Sequence, residues 1–168
     1  MTHTIAHASD IHFGKIGHPG IVDAMVETMQ AQGADVVCLS GDLTQRARPD
    51  QFRQARALID RFDVPVLVVP GNHDTLQWWN PIGRLLRPLA RYRRMISRDL
   101  APTYEAEGLS ILGINSAHGR TIANGRLGQT ARGVIRPFFG DGNPDDFRVL
   151  MLHHHLLRLR AIDDHKVA

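Results

Sequence analysis

Four short polar clusters carry side chains that could do chemistry together. They are Ser9-Asp10-Ile11-His12, Ser40-Gly41-Asp42, Gly71-Asn72-His73-Asp74 and His153-His154-His155. Together they offer carboxylate oxygens, an amide oxygen and imidazole nitrogens, without a thiolate. Such a donor set suits Mn, Fe, Zn or Mg and does not choose among them. Asp10 and His12 stand two residues apart, so in extended chain they point to the same face. A carboxylate such as Asp42 can bridge two ions about 3.5–4 Å apart, the spacing of two-metal phosphate chemistry. Gly41 and Gly71 would let the backbone turn sharply beneath such ions.

Each cluster has an ordinary explanation when taken alone. Asp-x-His is a common pair, and Gly-Asp after a strand is a routine turn. Asn-His-Asp after Pro70-Gly71 could be turn chemistry, and three successive histidines could be a solvated loop. The ordered combination carries the argument, because each cluster ends an apolar run.

Those runs define the elements that must position the clusters. Thr4 to Ser9 reads as a strand. Ile21 to Gln32 carries apolar residues at 21, 22, 25, 26 and 29, a helical period that Gly33 ends. Asp35 to Leu39 is a buried strand bounded by Gly41. Pro49 and Asp50 open a helix reaching about Arg61. Val66 to Val69 is the third strand. This alternation implies parallel strands with helices packed on the sheet. In such a sheet the carboxyl ends of the strands share one edge, where these folds place their ligands. Downstream, Thr103–Glu107 and Leu109–Asn115 flank Gly108 as an antiparallel pair. Gln129 to Phe139 is expected to be helical, weakened by Gly133 and Pro137, and Arg148 to Leu152 is a last strand.

With 168 residues the chain suits one domain that can bury roughly two-thirds of its unfolded surface. The net charge of +3 is mild and fits an anionic substrate or a plain solvated surface. A single cysteine, Cys38, excludes an internal disulfide and sits in an apolar strand as core filler. No run approaches the ~20 apolar residues of a membrane span, and the first residues do not resemble a signal peptide. A cytoplasmic protein without membrane partners is expected. Six arginines crowd residues 84–98. Leu85, Leu86, Leu89 and Tyr92 recur there at helix-like spacing, so an amphipathic cap with a wet basic face is favoured over a nucleic-acid patch.

At Asp10-x-His12, Gly41-Asp42, Gly71-Asn72-His73-Asp74 and Val149-Leu-Met-Leu-His153 the sequence resembles the calcineurin-like metallophosphoesterases. The motifs come in the family's order and span essentially the whole chain. Arg87–Arg94 and Leu112–Asn115 carry a closer similarity to bacterial cyclic-nucleotide phosphodiesterase-like enzymes. The resemblance implies an α/β fold, an αββα sandwich of two facing mixed sheets flanked by helices. It implies hydrolysis of a phosphodiester, such as a cyclic nucleotide, or of a phosphomonoester at a dinuclear centre of divalent ions. By position, Asp10 and His12 would hold one ion, Asp42 would bridge both, and Asn72 and His153 would hold the second. His73 would face the phosphate as electrostatic stabiliser or general acid. Asp74 would orient a neighbour or stabilise the turn, and His154 and His155 would lie at the rim.

One departure bears on activity. The family closes its site with a Gly-His-x-His motif on a further strand, and these 168 residues do not contain it. His165 has neither the spacing nor an apolar strand before it. Residues 1–168 are therefore expected to form the N-terminal part of a longer domain, C-terminally incomplete, with an exposed sheet edge through which copies could associate. A catalytically impaired or non-catalytic scaffold of the same fold is the alternative function, and a nuclease is the second.

Overall fold

The computed structural model describes residues 2–120 and 125–156, so His165 lies outside the described residues. Three parallel strands form the first sheet in the order β1 (Ile5–Ala8), β2 (Val36–Ser40), β3 (Val66–Val69). The crossovers are the helices α1 (Ile21–Ala31) and α2 (Pro49–Ile59). A second, mixed sheet follows, in which β5 (Leu109–Gly113) pairs antiparallel with β4 (Thr103–Ala106) and parallel with β6 (Phe147–Met151). The short helices α3 (Pro81–Leu86) and α4 (Ala90–Met95) precede it, and α5 (Gln129–Gly140) crosses from β5 to β6.

Strand alternation divides the core in two. Val37 and Leu39 of β2 and Val68 of β3 face Val26, Phe52, Ala55, Leu58 and Tyr92 from the helical side. Val36, Cys38, Leu67 and Val69 point the other way, against Leu109, Ile111 and Met151 of the second sheet. Every residue of β2 is therefore buried, which is what a continuous apolar run in a strand covered on both faces predicts. Cys38 belongs to the layer between the sheets, where burial pushes its thiol up to about 11 and leaves it inert.

The arginine-rich segment departs from the expected single amphipathic cap. Pro88 cannot continue a helix, and α3 and α4 are separate pieces. Arg84 is buried, while Leu85 and Leu86 are exposed. The Arg84 guanidinium reaches the Thr75 hydroxyl at 3.0 Å and the Leu76 carbonyl at 2.7 Å, with Trp78 4.8 Å away. These partners outweigh the pull of a leucine toward the core at that position. Leu89 and Tyr92 are buried as expected, and the Tyr92 hydroxyl donates to the Val68 carbonyl.

The loops leaving β1 and β2 run side by side. Asp10 N–H donates to the Gly41 carbonyl, His12 N–H to Asp42 and Phe13 N–H to Leu43, at 2.8–3.1 Å. The turn after β3 is a single 3-10 turn over Asn72–Asp74, and Asp74 ties it to the β2 loop. Its fully buried carboxylate accepts from the N–H groups of Gly71, Leu43 and Thr44 and from the Thr44 hydroxyl, at 2.9–3.2 Å. Burial raises Asp74 to about 6, against the pull of those same hydrogen bonds. Of the two roles open to Asp74, the structure shows the stabiliser of the turn. Asp74→Ala would strand three buried backbone N–H groups at about 1–3 kcal/mol each. A loss of roughly 3–5 kcal/mol is expected in urea denaturation, and a loss under about 1 kcal/mol would contradict this role.

Candidate metal centre

The six residues singled out in the sequence converge on one edge of the sandwich. Asp10 and His12 come from the loop after β1, Asp42 from the loop after β2, Asn72 and His73 from the turn after β3. His153 arrives from the second sheet, two residues past the end of β6. Three of these positions, Asp10, His12 and Asp42, hold left-handed backbone with φ between 52° and 58°. Non-glycine residues occupy that region at a cost of order 1–3 kcal/mol each, and such strain collects at functional sites.

The two glycines act differently from one another. Gly41 has φ of +90° and makes the sharp turn that its type permits. Gly71 has no such need, since its φ is −99°. It is required by close approach: an added Cβ would stand 2.1 Å from Asp42 Oδ1 and 2.4 Å from Asp42 N. At Gly41 a Cβ would meet Gly71 N and the His153 side chain at 2.8 Å. The glycines thus allow three chain segments to close on Asp42.

Asp42 is the hub of the cluster and is only 3% exposed. His73 N–H donates to its Oδ1 at 2.8 Å. Its Oδ2 lies 3.5 Å from His153 Nε2 and 3.8 Å from His12 Nε2. His12 Nε2 is also 3.6 Å from Asp10 Oδ1, and His153 Nε2 is 3.2 Å from Asn72 Oδ1. Two sets of three ligand atoms each lie within 4.8 Å of one another: Asp10, Asp42 and His153 in one, His12, Asp42 and His73 in the other. Asp42 belongs to both. His12 Nδ1 is buried without a hydrogen-bond partner among the described residues. Carboxylate, amide and imidazole lone-pair atoms gathered this closely around a buried carboxylate fit a site built for cations.

The histidine tautomers follow from their partners. His153 Nδ1 stands 2.8 Å from the Ser40 carbonyl and His73 Nδ1 2.7 Å from the Gln45 carbonyl. A carbonyl only accepts, so both Nδ1 atoms carry hydrogen, and Nε2 is left for the site. A ligating histidine is commonly oriented by a backbone carbonyl in this way. Ser40 and Gln45 act through main-chain oxygens, which leave no trace in residue type; nothing in the sequence marked them.

His154 departs from the expected rim position. Its ring is half-buried, 2.8 Å from the Ser116 hydroxyl and edge-on to His153 with centroids 4.8 Å apart. Gly125 packs on the ring so closely that no side chain would fit there. Burial, then the neighbouring His153, lower His154 to about 4, so it is neutral. His155 is exposed.

Burial lowers the affinity of His153 for a proton, yet its hydrogen bond to Asp42 and the carboxylate charge prevail and raise it to about 9. Burial opposes ionisation of Asp42 as well, and His153 with the His73 N–H holds it below the usual carboxylate range. The His153–Asp42 pair therefore stabilises the metal-free fold fully below the ordinary histidine value of 6.5, and that stability is lost as pH rises through about 9. In EDTA, urea denaturation at about pH 6 and about pH 10 should show this decline, and His153→Gln should remove it. An equal decline in both proteins would contradict the pairing.

A family profile described as Calcineurin-like phosphoesterase matches residues 3–166. A probable cyclic nucleotide phosphodiesterase of Synechococcus is 26% identical over 164 residues, covering 92% of this chain and 58% of that protein. The glycerophosphodiester phosphodiesterase GpdQ of Enterobacter lignolyticus is 32% identical over 80 residues, 42% of this chain and 29% of that enzyme. The chain thus spans little more than half the length of the first relative and less than a third of the second. The crystal structure of a dimetal phosphatase from Danio rerio superposes with a TM-score of 0.61 at 14% identity, over 90% of this chain and 69% of that one. Its likeness shows the fold. The match across nearly the whole sequence, on a two-sheet sandwich with these motifs at its edge, shows that the chain belongs to the calcineurin-like phosphoesterase family.

Proposed function

We propose that this chain contributes the dinuclear centre of a phosphoesterase acting on phosphodiesters, with phosphomonoesters as the nearby class. Asp10 and His12 would hold one ion, Asn72 and His153 the other, and Asp42 would bridge them. The observation that supports the bridge is the membership of Asp42 in both donor sets. Those sets join Asp10 with His153 and His12 with His73, so the division of the other donors between the two ions rests on the order of the motifs along the chain. Two divalent ions held there would neutralise charge on the phosphoryl oxygens and lower the barrier to attack by water. The chain's own part is to fix the donors. Ser40 and Gln45 carbonyls set the rings of His153 and His73, and the His73 N–H orients the Asp42 carboxylate. With Nδ1 carrying the hydrogen of the neutral ring, His73 Nε2 would donate to a phosphoryl or leaving oxygen only in the doubly protonated form. Preference for a diester rests on the phosphodiesterases named among the relatives.

A second reading makes His73 a ligand, because its ring lies in one donor set with His12 and Asp42 and meets the His12 ring edge-on at 4.9 Å. The two readings separate on metal content. His73→Ala should keep its metal and lose turnover of bis(p-nitrophenyl) phosphate by ~10²–10³-fold. Loss of an ion from that variant would support the ligand reading instead.

Asp42→Asn replaces a bridging carboxylate with a neutral amide. It should remove most of the Mn²⁺ bound by the purified protein. Near-normal occupancy of two ions per chain would sink the bridging role.

A further inference from the structure

A second concave site lies beside the candidate centre and shares none of its residues. Its volume is about 1010 Å³, at the upper end of small-molecule pockets. Five arginines line it: Arg87, Arg93 and Arg94 from the α3–α4 region, Arg98 just after it, and Arg126 from the segment before α5. Among the described residues none of the five forms an ion pair with a carboxylate. His118 and Asn115 add an imidazole and an amide to the lining. Leu89, Leu100, Ile114 and Val134 give the cavity an apolar floor and side.

A solvated basic face would spread its guanidinium groups outward. Here all five are exposed, yet all five line one concavity with aliphatic walls. That pairing selects a ligand that is both multiply charged and partly apolar. Guanidinium groups match phosphate oxygens in geometry as well as charge. The walls are fixed to the centre by main-chain contacts. Leu76 N–H, two residues past the Asn72–Asp74 turn, donates to the Pro88 carbonyl at 2.8 Å. Gly119, next to His118, sits against the Arg84 carbonyl so closely that an added Cβ would be 2.0 Å from it.

We propose that this cavity is a second binding site, taking one small organic anion that bears several phosphate groups and an aromatic or apolar portion. It is distinct from the phosphoryl site at the candidate centre, and its test does not depend on any metal.

The test uses the 168-residue chain in EDTA, titrated calorimetrically with ATP as probe. ATP should saturate one site per chain. Arg94→Glu/Arg98→Glu, at two exposed positions, should weaken binding by about tenfold or more. Ala131→Trp fills the cavity from α5 without changing charge and should weaken ATP to a similar extent. Both variants should keep the circular dichroism of the parent. Inorganic phosphate should bind more weakly than ATP, because it cannot use the apolar wall. Unchanged ATP affinity in both variants would overturn the proposal, as would phosphate binding as tightly as ATP. A single-stranded oligonucleotide that outcompetes ATP and is indifferent to Ala131→Trp would also overturn it, pointing to an extended basic surface instead.

Discussion

Burying a carboxylate is the constraint on which the rest of this site depends. An ionised group taken from water needs donors or positive charge close by, and Asp42 is almost wholly buried. One donor is the His73 N–H, delivered by the 3-10 turn after β3. A second partner is the His153 imidazole, delivered by the far sheet. The loops after β1 and β2 must run in register to bring His12 and Asp10 alongside, and Gly71 must have no side chain for the chain to come so near. Asp74, beneath, fastens the turn to the β2 loop with three hydrogen bonds and closes the turn itself with a fourth, from the Gly71 N–H.

The two-sheet core has a functional consequence as well as a structural one. His153 is the donor contributed by the second sheet, and its Nδ1 is held by the Ser40 carbonyl of the first. The distance between the two halves of the site is thus set by how Val36, Cys38, Leu67 and Val69 pack on Leu109, Ile111 and Met151. A change of one methylene in that layer is felt in a well-packed core and would reach the donors. Left-handed backbone at Asp10, His12 and Asp42 shows where local geometry has yielded to the cluster.

Much of this was legible in the sequence, for identifiable reasons. The strands and the three long helices stand within one or two residues of their expected positions, because period-2 and period-3.6 patterns were strong and Gly33, Pro49 and Gly108 marked the ends. The polar clusters after β1, β2, β3 and β6 meet in space because parallel strands put their carboxyl ends on one edge. The segment 81–95 was less legible. Its leucine spacing suggested one amphipathic face, yet Pro88 breaks it and Arg84 takes an inward position through partners at Thr75 and Leu76. Main-chain donors and acceptors were also invisible, as Ser40 and Gln45 show. The burial of His154 depends on Ser116 and Gly125, distant in sequence, so no local pattern could announce it.

The central claim is that one buried carboxylate joins two cation sites. The most direct measurement is anomalous scattering from a crystal of this chain soaked in Mn²⁺. The account predicts two peaks about 3.5–4 Å apart, with Asp42 between them, His12 and Asp10 on one and His153 and Asn72 on the other. A single peak, or two peaks of which only one touches Asp42, would contradict it.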